Sequence, residues 1–317
     1  MVAQIASVQR NAEEESRVAA VGGPAVMSDL ESTDPAIVAR GRALETLNKG
    51  DLDGAERQLQ RVLTSRPNDA QVLGSLGMVQ FRRGNQAVAE DWFVRANRAT
   101  PGGSREWRDM IVASRFAQNM RAADQLLEQQ RLLEAEASVR NALGLRANDV
   151  DALALLGNIR LADGDQKEAE SLFREVLRRE PDNGRAMRGL VSLLSRSERR
   201  EEAYALLDTF DKRFPKQQTK YASVRADLLR EEADVYLAAG RPSHAIQALE
   251  AAIVLQPADP WHRYTLAKVY DSLNLPQLAR GVMQEGVQLV PQDADMRYAN
   301  ALNLISQGDN RSGLQEL

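Results

Sequence analysis

Side chains that could carry acid–base or metal chemistry are scarce in this sequence. The 317 residues include two histidines, His244 and His262, and no cysteine. Without cysteine there are no disulfides, no thiol catalysis and no cysteine-based zinc sites. Neither histidine has local partners at metal-ligand spacing, so we expect solvated or structural roles for both. The 45 carboxylates are spread evenly along the chain, and no pair of them can be assigned to glycoside hydrolysis.

Two further classes of function are excluded by motif and charge. The glycines at Gly102 and Gly103 are followed by Ser104 without the Lys-Ser/Thr of a phosphate loop, so we interpret them as a turn. A net charge of −4 gives no electrostatic footprint for nucleic acid. We therefore predict a non-enzymatic protein with no cofactor, no metal and no nucleic-acid partner. No run of about 18 apolar residues is present, so we expect no membrane insertion either.

A different set of side chains suits binding rather than catalysis. An arginine can bind a peptide carboxylate through forked hydrogen bonds, and the aromatic residues beside it can stack on sugar rings. The candidates, together with the charged residues beside them, are Arg185, Arg188, Asp227, Arg230, Trp261, Tyr264, Lys268 and Tyr298. Packing between adjacent helices is the alternative role for Tyr264 and Tyr298.

The elements that must position these residues recur every 34 residues. That spacing separates the two members of three proline pairs: Pro67 and Pro101, Pro181 and Pro215, and Pro257 and Pro291. Small and aromatic residues keep the same frame, as shown by the sets Gly77, Ala89, Phe93 and Gly157, Ala169, Phe173. The glycine and alanine of each set allow two helices to cross closely, and the phenylalanine fills the space between neighbouring units. The proline ends the second helix of a unit.

This pattern resembles the tetratricopeptide repeat, in which each unit is a pair of antiparallel helices. The resemblance implies an all-α solenoid, a right-handed superhelix of helix pairs whose first helices line a concave groove. The second, fifth, ninth and twelfth places of those helices then face inward, and the eight candidate residues occupy such places. Solenoids of this kind act by surface recognition.

The frame gives seven units and the start of an eighth, with two interruptions. Pro101 and Ala147 are 46 residues apart, and Pro215 and Pro257 are 42 apart, so extra helical residues lie near 104–115 and 218–225. We expect them to lengthen or add a helix and to divide the chain into blocks with hinges between them; surface loops with no effect on the axis are the alternative. The predicted segments are an N-terminal helix or flexible stretch at 1–35, an insertion at 104–115, a hinge at 218–225, and three repeat blocks at 36–103, 116–217 and 226–317.

A narrower resemblance covers about 90 residues of the last third. The run Asp259-Pro260-Trp261, followed by Arg263, Leu266 and Ala267, resembles a signature in the repeat region of the cellulose synthase operon protein C family. Family members have a secretion signal, a long periplasmic repeat region and a C-terminal outer-membrane barrel that exports the glucan. The resemblance therefore implies that this chain is a periplasmic fragment of a longer protein. The lack of cysteine agrees with that compartment, and the cytoplasm is the expectation if the resemblance misleads.

The resemblance also supplies the expected function and partners. It implies a scaffold of bacterial cellulose biosynthesis and export, which contacts other proteins of a cellulose synthase complex between the inner-membrane synthase and the outer-membrane pore. The β-1,4-glucan and peptidoglycan are further candidate partners. Two alternatives stay open: a general peptide-binding adaptor or cochaperone of another secretion or assembly pathway, and a carbohydrate-binding module.

Overall fold

The chain folds entirely as helices over the residues that the structure describes. The computed structural model describes residues 28–316. Sixteen α-helices and one 3-10 helix follow one another there, and these residues form no strand. The all-α repeat fold predicted from the 34-residue period is therefore confirmed. The prediction for residues 1–35 falls largely outside the described part of the chain.

The helices form eight pairs. In the first three pairs they are α1 Pro35–Asn48, α2 Leu52–Ser65, α3 Ala70–Arg82, α4 Gln86–Ala99, α5 Arg105–Glu128 and α6 Leu132–Leu145. The next two pairs are α7 Val150–Ala162 with α8 Gln166–Arg179, and α9 Gly184–Arg196 with α10 Arg200–Arg213. After the 3-10 helix Pro215–Tyr221, the last three are α11 Ala222–Ala238 with α12 Pro242–Leu255, α13 Pro260–Ser272 with α14 Pro276–Leu289, and α15 Ala294–Ser306 with α16 Asn310–Glu316.

The turn inside each pair contains one residue with positive φ. Glycine supplies it in five turns, at Gly50, Gly84, Gly164, Gly240 and Gly308, with φ from 68° to 88°. Side-chain-bearing residues supply it in the other three, at Gln130, Glu198 and Asn274, with φ near 60°. Glycine adopts this conformation without the steric cost that a Cβ imposes. The eight positions keep the 34-residue spacing except across the two insertions, so the turn is an independent marker of the repeat.

Polar caps begin the first helix of several pairs. Asp69, Asn183, Asp259 and Asp293 each lie two residues after a proline of the repeat and accept hydrogen bonds from backbone N–H groups of the first helical turn. The caps satisfy donors that have no partner within the helix. The proline and the cap together therefore end one unit and begin the next.

The residues that set the repeat pattern lie where the helices cross. A Cβ on Gly77 would lie 2.6 Å from Cε1 of Phe93, and a Cβ on Gly157 would lie 2.6 Å from Cε1 of Phe173. Both phenylalanines are fully buried. Because any side chain larger than hydrogen would collide with the ring, the glycines are what allow the two helices of a pair to approach this closely.

The first group of extra residues lengthens a helix. Helix α5 has 24 residues, whereas the other first helices have 13 to 17. Trp107, near its start, is 2% exposed and stacks on Phe93 at 6.2 Å between ring centroids. Met110 is buried in the same core. The extension is thus packed against the second pair of helices.

The second group forms the 3-10 helix and the start of α11. Tyr221 is 3% exposed, its ring meets the edge of Phe210 at 4.6 Å between centroids, and its hydroxyl donates to the carbonyl of Asp182 at 2.7 Å. These contacts attach the segment to the fifth pair and to the turn before it. Whether the two insertions act as hinges stays a prediction.

The chain divides into two compact units, residues 1–152 and 153–317, with the boundary inside α7. In the first unit, the core is built from α1 to α5 around Leu73, Phe93 and Trp107. In the second unit, two apolar clusters lie in the last three pairs, one around Leu249 and Leu266 and the other around Met283 and Met296. All eight candidate binding residues belong to the second unit.

Candidate functional site

The eight candidate residues lie on four first helices of the second unit. Arg185 and Arg188 are on α9, Asp227 and Arg230 on α11, Trp261, Tyr264 and Lys268 on α13, and Tyr298 on α15. The structure brings the six on α11, α13 and α15 into two adjoining groups that share Trp261. The two arginines of α9 line neither group; the guanidinium of Arg188 lies instead near its own helix start, against Gly184.

The first group is an aromatic cluster of Trp261, Tyr264 and Tyr298. The ring of Trp261 meets Tyr264 at 6.3 Å and Tyr298 at 6.4 Å between centroids, both with edge-to-face geometry. The ammonium group of Lys268 lies 5.9 Å from the centroid of Tyr264. Tyr264 also packs on the apolar cluster around Met283, so one tyrosine has a packing role. Trp261 and Tyr298 nevertheless keep 43% and 46% of their surfaces exposed.

The second group is a polar pocket between α11 and α13. Its cavity of about 350 Å³ is lined by Asp227, Arg230, Asp259, Trp261, His262 and Thr265. Three of these residues, Asp227, Arg230 and Trp261, are among the candidates from sequence. The other three, Asp259, His262 and Thr265, are not among those candidates. Asp259 is recognisable from sequence as a helix cap, His262 directly follows Trp261, and Thr265 lies about one helical turn after it.

Asp259 fixes the start of α13 and so the position of Trp261. Its Oδ1 accepts hydrogen bonds from the backbone N–H of Trp261 at 2.9 Å and of His262 at 3.1 Å. Thr265 returns a hydrogen bond from its hydroxyl to the carbonyl of Trp261 at 2.8 Å. The first turn carrying the exposed indole is therefore held by contacts on both sides, as an N-cap provides.

A buried arginine secures the same turn from behind. Arg263 is 6% exposed and donates to the carbonyls of Pro257 and Val282, each at 3.0 Å. A Cβ on Gly286 would lie 2.7 Å from Cδ of Arg263, so this glycine leaves the space that the arginine stem occupies. Arg263 thereby links the turn before α13 to α14. Hydrogen bonds from a charged donor are among the stronger ones in proteins.

His262 is the buried side chain of the pocket. It is 1% exposed, and its Nε2 lies 3.2 Å from Oε1 of Gln256 and 4.0 Å from Oδ1 of Asp259. Its Nδ1 has no hydrogen-bond partner among the described residues. Burial lowers the pKa of His262, against the opposite influence of Asp259 and Asp227. The ring is therefore neutral near pH 7, with Nε2–H donating to Gln256 and Nδ1 left as an acceptor.

The two charges from α11 complete the electrostatics of the pocket. The atoms packed around its carboxylate raise the pKa of Asp227, while His262 and Arg230 act to lower it. Arg230 lies 4.0 Å from Asp234 on its own helix, a distance at which the pair is weak. Arg230 and Asp227 thus offer a donor and an acceptor to a bound molecule. His244, in contrast, is exposed on α12, where its Nε2 lies 2.8 Å from Nη2 of Arg241 and its ring is tilted against Tyr236 at 5.2 Å between centroids.

Metal clusters and membrane spans do not occur among the described residues. Within residues 28–316 no group of three or more His, Asp or Glu side chains is arranged to hold a metal ion. No helix in that range is long and apolar enough to cross a bilayer.

Comparison with known proteins identifies the repeat family. Profiles of the tetratricopeptide repeat match residues 40–104 and 120–184, residues 160–228 and residues 226–269. Among solved structures, yeast Tom70 shows the same fold with a TM-score of 0.52 at 14% identity, over 90% of this chain and 60% of Tom70.

Two of the similar proteins carry the same name. The chain is 32% identical over 276 residues to "Cellulose synthase operon protein C" of Xanthomonas axonopodis pv. citri (strain 306), and 29% identical over 264 residues to the protein of that name from Pseudomonas fluorescens (strain SBW25). The matches cover 87% and 82% of this chain but only 18% and 20% of those relatives. The repeat profiles, together with the paired helices and the turns that recur at a spacing of 34 residues, show that this chain belongs to the tetratricopeptide repeat family.

Proposed function

We propose that the chain is a non-enzymatic periplasmic scaffold of bacterial cellulose biosynthesis and export, which binds other proteins of the cellulose synthase complex between the inner-membrane synthase and the outer-membrane pore. The observation that carries this proposal is the similarity to cellulose synthase operon protein C over 87% of the chain. The match is not confined to one repeat but extends over 276 residues.

The fold supports a role in binding. Repeat solenoids present extended surfaces built from successive units, and their function resides in those surfaces. In the second unit the first helices carry exposed charged and aromatic side chains, including Arg188, Lys268, Trp261 and Tyr298. Arginine and exposed aromatic residues are the types that are enriched where proteins bind each other. The first helices are therefore the proposed contact surface.

Site-specific photo-crosslinking in the cellulose-producing bacterium tests the proposal. A photoreactive amino acid is placed at Arg188 or Lys268 on first helices, and at Val254 on the second helix α12 as a control, since Val254 is 77% exposed. We expect adducts with synthase or pore proteins, identified by mass spectrometry, from the two first-helix positions and not from Val254. Adducts only with proteins unrelated to cellulose synthesis would contradict the proposal and favour a general adaptor. Cell fractionation of the same strains checks the periplasmic location.

A further inference from the structure

The polar pocket and the aromatic cluster meet at Trp261 and use residues from three first helices, α11, α13 and α15. A surface that spans three neighbouring helices extends over about 20 Å, because packed helix axes lie about 8–10 Å apart. It combines exposed aromatic rings, packed edge to face, with a cavity that has both hydrogen-bond donors and acceptors. Such a combination of apolar faces and a few polar groups is typical of ligand sites.

The chemistry of the pocket matches hydroxyl groups. A hydroxyl both donates and accepts a hydrogen bond. Asp227 offers carboxylate acceptors, Arg230 offers N–H donors, and Thr265 has a hydroxyl of its own. The exposed rings of Trp261 and Tyr298 provide apolar faces of the kind on which the flat C–H faces of a sugar stack. A chain of sugar residues presents hydroxyl edges and apolar faces together.

The unpartnered Nδ1 of His262 is a second observation that indicates a ligand, separate from the exposed rings and charged groups. A buried polar atom without a hydrogen bond is costly, since it has lost its water and gained no partner in exchange. The Nδ1 of His262 is such an atom, in a ring that is 1% exposed and lines the cavity. Because the Nε2 side of the ring is occupied by Gln256, the Nδ1 lone pair is the one available to a donor. A hydroxyl group that reached Nδ1 from the pocket would satisfy it.

The charges favour a neutral ligand over a charged one. Among the residues that form the two groups, the carboxylates of Asp227 and Asp259 are matched by the cations of Arg230 and Lys268, and Asp234 lies outside them, 4.0 Å from Arg230. A strongly acidic or basic peptide gains no net attraction from such a balanced set. A neutral polyhydroxylated chain, however, uses each of these groups as a hydrogen-bond partner without a need for net charge.

We propose that the polar pocket and the aromatic cluster form one binding site for a neutral β-linked glucan chain, with the face of Trp261 stacking on a sugar ring, Tyr298 contacting the chain beside it, and Asp227, Arg230 and His262 binding hydroxyl groups. The choice of β-glucan among neutral polysaccharides rests on the proposed function in cellulose export. The site itself rests on the geometry, and it assigns the glucan to the last three helix pairs.

Titration of the 317-residue chain with cellohexaose tests the proposal. Of the three tryptophans, Trp107 is buried and Trp92 is half-buried, so a ligand at the site changes mainly the emission of Trp261. Calorimetry measures the same binding without that probe. We expect saturable binding of cellohexaose, and weaker binding of the α-linked maltohexaose, whose curved chain presents its hydroxyl groups and apolar faces in different directions from those of the extended β-linked chain.

Variants locate the binding. Trp261→Ala and Tyr298→Ala each remove an exposed ring, and we expect a loss of affinity of about tenfold for each, as the loss of one aromatic contact implies. Asp227→Asn keeps the size of the side chain and removes a charged acceptor, so a smaller loss is expected. Val254→Ala, a change at an exposed position on α12, leaves the affinity unchanged. Because Trp261 and Tyr298 are surface residues that are 43% and 46% exposed, circular dichroism should show all these variants folded.

Three results would overturn the proposal: no heat or emission change at millimolar cellohexaose, unchanged affinity in both ring variants, or binding of an acidic or basic peptide at this site in place of the glucan. These results are separable from those for the scaffold. If the crosslinks from Arg188 to synthase proteins persist while cellohexaose does not bind, the scaffold stands and the glucan site does not. If cellohexaose binds but the crosslinks are absent, the reverse holds.

Discussion

The ring of Phe173 in α8 lies directly against the backbone of Gly189 in α9, so that a Cβ at Gly189 would lie 2.3 Å from Cζ of the ring. The ring also contacts Gly157 in α7, where a Cβ would lie 2.6 Å from Cε1. One fully buried phenylalanine therefore fills the space between the two helices of its own pair and the first helix of the next pair. The repeat uses glycine on both sides of that ring.

Gly189→Ala should destabilise the second unit by about 1–3 kcal/mol, because an added methyl group in a packed core forces the ring or the helix to move. Gly281→Ala is the matched control in the same unit. A Cβ there has nothing within 4 Å, so the better helix propensity of alanine should stabilise by up to about 1 kcal/mol. Urea unfolding of both variants measures the two free energies. Equal effects of the two substitutions would show that the Phe173 contact does not limit the spacing.

Glu198→Gly should stabilise the chain by up to about 1 kcal/mol. Glu198 occupies the turn position that is glycine in five other pairs, and its φ of 59° is costly for a side chain with a Cβ. Gly164→Ala, at the equivalent turn with a φ of 88°, should destabilise by a similar or larger amount. Thermal unfolding of the two variants gives opposite shifts in Tm. A lower Tm for Glu198→Gly would mean that the glutamate side chain makes contacts that outweigh the backbone cost.

Arg40→Met should cost about 3 kcal/mol of unfolding free energy. Arg40 binds Asp29 through two hydrogen bonds of 2.7 and 2.6 Å and Asp69 through one of 2.8 Å, and the two carboxylates are nearly buried. The substitution leaves both nearly buried carboxylates without this cation. Loss of one partner of a buried ion pair lowers the free energy of unfolding strongly, because the remaining charge is no longer compensated. Lys49→Met, at the end of the same helix, breaks the exposed pair with Glu45 and should cost about 0.5 kcal/mol or less. Comparable losses would show that the nearly buried ion pairs of Arg40 are worth no more than the exposed pair of Lys49.

His262 should make the stability of the second unit depend on pH. Burial lowers the pKa of His262 in the folded chain, so the unfolded chain, with a histidine pKa near 6.5, binds the proton more readily. Stability is then fully present above about pH 6.5 and falls as the pH drops from there through the folded pKa, by up to about 1.4 kcal/mol per pH unit. Asp259 and Asp227 face the ring and oppose this fall, while Arg230 adds to it.

Urea unfolding at pH 7.5 and pH 5.5, for the wild type and for His262→Asn, measures this dependence. The variant has no titrating group at this position, so the difference in free energy between the two pH values should shrink. Burial raises the pKa of the Asp227 carboxyl, so the stability that this group withholds returns as the pH falls, an effect opposite in sign to that of His262 and present in both proteins. An identical pH dependence in wild type and variant would show that His262 is not the responsible group.

The period of 34 residues was enough to predict the paired helices, because the packing of one unit on the next requires the same small and apolar residues at the same places. Gly77 with Phe93, and Gly157 with Phe173, illustrate this: each residue type is dictated by a contact within about one repeat in sequence. The extra residues near 104–115 were identifiable as an interruption, but their continuous helix and the burial of Trp107 depend on contacts that the spacing does not encode.

The candidate site was only partly accessible to sequence reasoning. The repeat frame gave Asp227, Arg230 and Trp261, since inward places on first helices follow from the period. It also gave Arg185 and Arg188, which the fold leaves away from the cavity. The sequence did not identify His262 as a pocket residue, because its burial and its unpartnered Nδ1 depend on contacts with Gln256 and the cap Asp259 in the preceding turn.

Local, repeating interactions were thus determined by the sequence alone: the helix pairs and the family follow from residue types that recur at a fixed interval. The meeting of α11, α13 and α15 around one indole was decided only by the tertiary structure. The reason is physical: which inward side chains share a cavity depends on the rotation between successive helices and on the side chains that fill the gaps, and neither is set by periodicity.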